Sequence, residues 1–132
     1  CLFDQLALLN IYLPGTILKP SMVISGDSND SRADFKMVAD MTIKCLKDIC
    51  PDDLGGIAFL SGGQTNEEAT THLNLMNKDY DSLPWRVTFS YARAIQQSAL
   101  NAWCGKDENS QKSQEILSER ANLCSKASIG EL

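Results

Sequence analysis

Apolar residues along this chain alternate between two rhythms. Leu2, Leu6 and Leu9, with Phe3, recur at helical spacing, so residues 1–10 read as the last turns of a helix. Ile11 to Lys19 is rich in β-branched and aliphatic residues and is closed by Pro20, which predicts a strand. Residues 24–32 are small and polar and predict a loop. Ser31 with Asp34 resembles a capping box, and Phe35, Val38, Ala39, Thr42, Leu46 and Ile49 follow on one helical face. Cys50-Pro51 stops that helix.

The unit then repeats in kind. Gly55-Gly56 opens the continuous apolar run Ile57-Ala58-Phe59-Leu60, a pattern expected of a buried parallel strand. Ser61-Gly62-Gly63 turns the chain, and Thr65 with Glu68 caps a helix carrying Ala69, Leu73 and Met76. A third strand, Trp85 to Ser90, leads into a helix through Ala94, Ile95, Ala99, Leu100 and Trp103. A last helix spans roughly 109–124, with Ile116, Leu117, Ala121 and Cys124 inward. Strands alternating with helices imply an α/β fold with parallel strands and right-handed crossovers. No linker or low-complexity stretch divides the chain, so 1–132 reads as one unit.

Composition narrows the function classes. The charge sum of −5 opposes binding to nucleic acid and to anionic membranes. No apolar run approaches the roughly 18 residues that a membrane helix needs. Asp4 and Gln5 interrupt the opening apolar residues, so no leader pattern is visible. The cytosol is the expected compartment, with a plastid as the other. Cys1, Cys45, Cys50, Cys104 and Cys124 are odd in number and lack metal-ligand spacing, which favours a reducing compartment.

Three positions carry candidate chemistry. Lys19 lies at a strand's C-terminal end between Ile17-Leu18 and Pro20. In apolar surroundings its ammonium would lose hydration and the free amine would attack a carbonyl, whereas an ordinary strand-end lysine reaches solvent. Ser61-Gly62-Gly63, between a strand and a capped helix, can aim backbone N–H groups at an anion, or form a plain tight turn. Arg93, at the start of the next helix, can grip the same phosphate, and Ser90 can add a hydroxyl. His72 reads as a helix-packing or surface residue, and Trp85 and Trp103 as core or interface aromatics. The acidic pairs Asp52-Asp53 and Glu67-Glu68 read as solvated helix-end charges.

Together these segments resemble class I fructose-bisphosphate aldolases. Leu13-Pro14-Gly15-Thr16-Ile17-Leu18-Lys19-Pro20-Ser21-Met22-Val23 is similar to that family's Schiff-base lysine signature. Phe59-Leu60-Ser61-Gly62-Gly63-Gln64 with Asn66-Glu67-Glu68-Ala69 is similar to its phosphate-binding segment, and Trp85 to Ala94 to its last barrel strand. The tail Arg120 to Gly130 also fits, in the style of plant members. The resemblance implies the C-terminal three βα units of a (β/α)8 TIM barrel plus a closing helix, an incomplete barrel.

It further implies that Lys19 forms the imine and that Ser61, Gly62, Gly63, Ser90 and Arg93 bind phosphate and hydroxyls of a sugar-phosphate substrate. The implied reaction is reversible cleavage of fructose 1,6-bisphosphate to dihydroxyacetone phosphate and glyceraldehyde 3-phosphate, with no metal or organic cofactor. Association with itself or with other aldolase subunits is the implied partnership. A different class of function is a truncated, inactive relative that binds sugar phosphate or joins full-length subunits. Two departures stand out: Pro14 where the family usually has Glu, and Ala92 where it has glycine. The family's acid–base carboxylates belong to its first five strands, which these residues do not resemble.

Overall fold

A computed structural model describes residues 2–132, so Cys1, counted above in the opening helix and among the thiols, lies outside the described residues. Among the described residues, five α-helices and three strands follow the expected alternation: α1 Leu2–Leu8, β1 Ile17–Leu18, α2 Phe35–Ile49, β2 Gly56–Phe59, α3 Asn66–Asp79, β3 Val87–Phe89, α4 Arg93–Trp103 and α5 Ser110–Ala127. The strands form one parallel sheet in the order β1-β2-β3.

The helix starts are set by local chemistry. α3 has the full reciprocal cap, with Glu68 N–H donating to Thr65 Oγ1 at 3.1 Å and Thr65 N–H to Glu68 Oε2 at 2.7 Å. α2 is capped differently from the sequence expectation. Asp34 is its N-cap and accepts from Met37 N–H at 2.7 Å. Ser31 instead donates its N–H to Asn29 Oδ1 at 3.0 Å, because the preceding Asn closes a local loop and removes Ser31 from the helix start.

The strands are shorter than their apolar runs. Only Ile17–Leu18 pairs within the expected Ile11–Lys19 strand. Pro14 has no N–H for a ladder and begins a 3-10 turn, Leu13–Gly15. That turn presses on the next unit: the Gly55 N–H donates to the Leu13 carbonyl at 3.0 Å. A Cβ on Gly55 would stand 2.5 Å from the Pro14 carbonyl oxygen and 3.0 Å from that of Thr16. Gly55→Ala is therefore expected to lower stability by about 1–3 kcal/mol. An unchanged urea midpoint would show that the two segments do not meet.

Among the described residues, the sheet is covered on one face only. Ile57, Phe59 and Val87 pack with Val38, Ala39, Ile43 and Leu46 of α2, and with Ala69, Leu73 and Met76 of α3. Ala94 of α4 and Cys124 and Ala127 of α5 complete this core. Tyr91 closes it with a hydrogen bond to the Ala69 carbonyl at 2.8 Å, and Trp85 donates to that of Pro51 at 2.8 Å. The alternate residues face outward: Ile17 is 60% exposed, and Lys19, Thr88 and Ser90 are exposed too. Even in central β2, Ala58 is only half-buried, so the two-sided burial read from its apolar run is not reached within this chain.

Helix faces shift in the same way. Phe35 and Ile49, placed on the inner stripe of α2, are exposed, and Ile43 takes the buried position between Ala39 and Leu46. In α5 only Cys124 and Ala127 are buried, whereas Leu117 and Ala121 are exposed and Ile116 is half-buried. The last turns of α5 reach the core, and its earlier turns lie over α4, where Ser113 Oγ donates to the Ala99 carbonyl at 2.8 Å. Trp85 is a core aromatic, and Trp103 is 40% exposed at the end of α4.

Candidate functional site

Hydrogen bonds continue past the strands and align their C-terminal ends. Leu60 N–H donates to the Pro20 carbonyl at 3.1 Å, and Ser90 N–H donates to the Phe59 carbonyl at 2.8 Å. Lys19, Ser61 and Ser90 therefore stand along one edge of the sheet, at the ends of three adjacent strands. Beyond Lys19 the chain stays fixed, with Met22 in the core and Val23 N–H donating to Thr42 Oγ1 at 2.9 Å. Lys19 itself is exposed and meets no carboxylate among the described residues. Lys19 thus reaches solvent as an ordinary strand-end lysine does. The dehydrated, apolar setting that imine chemistry needs does not arise within these residues, because the lysine's face of the sheet is uncovered.

The glycine turn has a specific shape. Gln64 N–H donates to the Ser61 carbonyl at 3.2 Å, and Gly63 adopts φ +72°, a left-handed conformation suited to glycine. The N–H groups of Gly62 and Gly63 donate to no acceptor among the described residues. Arg93 is the first residue of α4, exposed, and its guanidinium likewise meets no carboxylate among the described residues.

An open cleft of about 690 Å³ has Gly63 and Arg93 on its walls, together with Asn66, Glu67, Gln97 and Ser98. Ser61, Gly62, Ser90 and Lys19 lie outside that lining. The five residues expected at a phosphate and the sugar's hydroxyls thus fall into a cleft pair, Gly63 and Arg93, and a strand-end set, Ser61, Gly62 and Ser90. The cleft is built from two helix starts, whose unpaired first-turn N–H groups favour an anion; the Glu67 carboxylate on the wall opposes one. Ala92 precedes α4 at φ −103°, so its β-carbon brings no left-handed strain.

Two residues that lie in the matched segments but were given no site role frame this cleft. Asn66 Nδ2 donates to Ser98 Oγ at 2.7 Å across it, and Arg120 of α5 donates to Thr70 Oγ1 at 2.7 Å behind it. A signal for Arg120 was present: it lies four residues before Cys124, on the face that α5 buries.

His72 is a packing residue, 3% exposed. Its Nδ1 lies 2.7 Å from Gln64 Oε1, and its ring meets Phe35 edge-on at 5.2 Å. Its Nε2 and Gln64 Nε2 have no partner among the described residues, beside a small cavity of about 30 Å³. Burial holds the imidazole below its usual pKa, with Glu68 opposing the shift. Protonation therefore favours the unfolded chain, and stability present above pH 6.5 is lost as pH falls through the lowered folded-state value. His72→Asn should remove that slope, at most about 1.4 kcal/mol per pH unit, from urea midpoints taken between pH 7 and 5. Parallel curves for both proteins would contradict it.

A parallel sheet with a lysine and a glycine turn at its strand ends, beside a cleft made by two helix starts, is an α/β arrangement suited to hold an anion. A family model described as fructose-bisphosphate aldolase class-I matches residues 1–132. A probable class 1 fructose-bisphosphate aldolase of Xanthomonas axonopodis pv. citri is 49% identical over 98% of this chain and 39% of its own length. Cytosolic fructose-bisphosphate aldolase 4 of Arabidopsis thaliana is 43% identical over 92% of this chain and 31% of its own.

A solved fructose-bisphosphate aldolase of Plasmodium falciparum, in complex with TRAP and a small-molecule inhibitor, aligns with TM-score 0.94 and 41% identity over 99% of this chain and 38% of that one. The chain belongs to the class I fructose-bisphosphate aldolase family. It spans about two fifths of the length of that Xanthomonas relative, 39%.

Proposed function

We propose that residues 1–132 form the part of a class I aldolase barrel that carries the imine-forming lysine and one phosphate pocket, its sixth, seventh and eighth strands with their helices. The reaction is reversible cleavage of fructose 1,6-bisphosphate to dihydroxyacetone phosphate and glyceraldehyde 3-phosphate. The observation that carries this reading is the row of strand ends bearing Lys19, Ser61 and Ser90, with Gly63 and Arg93 in one cleft beside it.

The free amine of Lys19 attacks the ketone carbon and expels water, giving a protonated imine. Its positive nitrogen withdraws electrons, so the neighbouring carbon–carbon bond breaks and its pair is held as an enamine. Gly62 and Gly63 N–H groups and the Arg93 guanidinium hold the phosphate, and Ser61 and Ser90 hydroxyls take sugar oxygens. The carboxylates that move protons are supplied by barrel strands that these residues do not contain. Those strands also cover the open face of the sheet and dehydrate Lys19. Further aldolase subunits, including copies of the same chain, are the expected partners. The cytosol is the expected compartment, as in the name of the Arabidopsis relative.

The test is complementation. Mixed with a polypeptide carrying the first five strands of the Xanthomonas relative, the chain is expected to restore cleavage of fructose 1,6-bisphosphate, and Lys19→Met to abolish it. A stable complex that cleaves nothing, or cleaves equally well with Lys19→Met, would overturn the reading.

A further inference from the structure

The two helices that begin at the cleft are held relative to each other by a third. α4 starts after Ala92, which offers no side-chain cap. α3 is capped by Thr65, but a cap orients one helix and does not fix its distance from another. Arg120 of α5 bridges both. Its Nε–H donates to the Ala94 carbonyl at 3.1 Å, and Nη2 donates to the Asn66 carbonyl at 2.9 Å and to Thr70 Oγ1 at 2.7 Å.

Ala94 directly follows Arg93, and Asn66 is the first residue of α3, three positions after Gly63. One planar group therefore spans the starts of both helices from behind the cleft. A guanidinium can do this because its donors point along fixed, divergent directions, whereas an ammonium is a single donor centre. On the cleft side Asn66 Nδ2 and Ser98 Oγ close the same ring at 2.7 Å. Arg120 is half-buried and does not line the cleft, so it acts on a ligand only through the two helices.

We propose that Arg120 is a positioning residue: it fixes the spacing between the Gly63 turn and Arg93, and so sets how tightly the cleft holds the phosphate of a sugar phosphate. The proposal rests on the phosphate reading above.

The experiment is a titration with inorganic phosphate, read on the amide signals of Gly62, Gly63 and Arg93 in the unmodified chain and three variants. Arg120→Gln removes the bridge, and Arg120→Lys keeps the charge without the fork. Ser113→Ala is the control, since Ser113 Oγ joins α5 to the Ala99 carbonyl, away from the helix starts. Each affinity is taken per folded molecule, using that variant's own unfolding curve.

Arg120→Gln and Arg120→Lys are expected to weaken phosphate about tenfold, a cost typical of a small misplacement of binding groups. Ser113→Ala should stay within about twofold, because distant sites act independently. If Arg120→Gln does not fold, Arg120→Lys decides alone. Undiminished binding by the Arg120 variants, or an equal loss in Ser113→Ala, would reduce Arg120 to a stabilising contact and overturn the proposal. If phosphate moves none of these signals in the unmodified chain, the phosphate reading fails first and the proposal falls with it.

Discussion

Truncating Phe59, the largest fully buried side chain of this core, to alanine is expected to remove about 3–5 kcal/mol of stability. Phe59 is fully buried, at 0% exposure, and lies in the central strand between β1 and β3. Its loss would leave a cavity between the sheet and the α2–α3 layer, walled by residues that cannot all collapse inward. Native domains have only about 5–15 kcal/mol to lose, so the variant should be partly unfolded at 37 °C. The same residue bears on the site, because its carbonyl accepts the Ser90 N–H and Leu60–Ser61 follow it directly. Urea unfolding of Phe59→Ala and Phe59→Leu measures this. A loss below about 1 kcal/mol for the alanine variant would place the core elsewhere.

Replacing Arg93 with glutamine is expected to weaken dihydroxyacetone phosphate binding by ten- to a hundredfold. That range corresponds to one lost charge-assisted hydrogen bond, at about 1.5–3 kcal/mol. Arg93 is exposed and makes no ion pair among the described residues, so the urea midpoint should barely move. That contrast separates it from Phe59, where stability and binding fall together. Equal affinity in Arg93→Gln would remove the guanidinium from the phosphate site.

Local signals in the sequence located most elements. The Thr65–Glu68 cap, the Cys50-Pro51 stop and the apolar run of β2 each carry their own physics within a few residues, and each is where it was expected. The misses are positions where a tertiary neighbour decides. The run from Ile11 looked like one long strand, but Pro14 breaks the ladder and the turn it starts packs on Gly55. Phe35, Ile49, Leu117 and Ala121 sit at helical spacing yet are exposed, since periodicity names an apolar face and not what covers it.

The same limit applies to the site. Ser61-Gly62-Gly63 and Arg93 were legible as anion-binding chemistry because a glycine turn and a helix start are local devices. Their division into a cleft pair and a strand-end row was not, because it depends on how α3 and α4 diverge. Arg120 carried only a faint signal, since its acceptors lie on two other helices. Lys19 was legible as a strand-end lysine, while its surroundings depend on what covers the open face of the sheet.

The central claim is that Lys19 forms an imine with a ketose phosphate that this cleft retains. The most direct measurement is borohydride reduction, with dihydroxyacetone phosphate, of the chain assembled with the first five strands of the Xanthomonas relative, read by intact mass and by mapping the modified peptide. The account predicts one stable adduct on Lys19, lost in Lys19→Met and suppressed in Arg93→Gln. An adduct on another lysine, or none from soluble and folded protein, would contradict it.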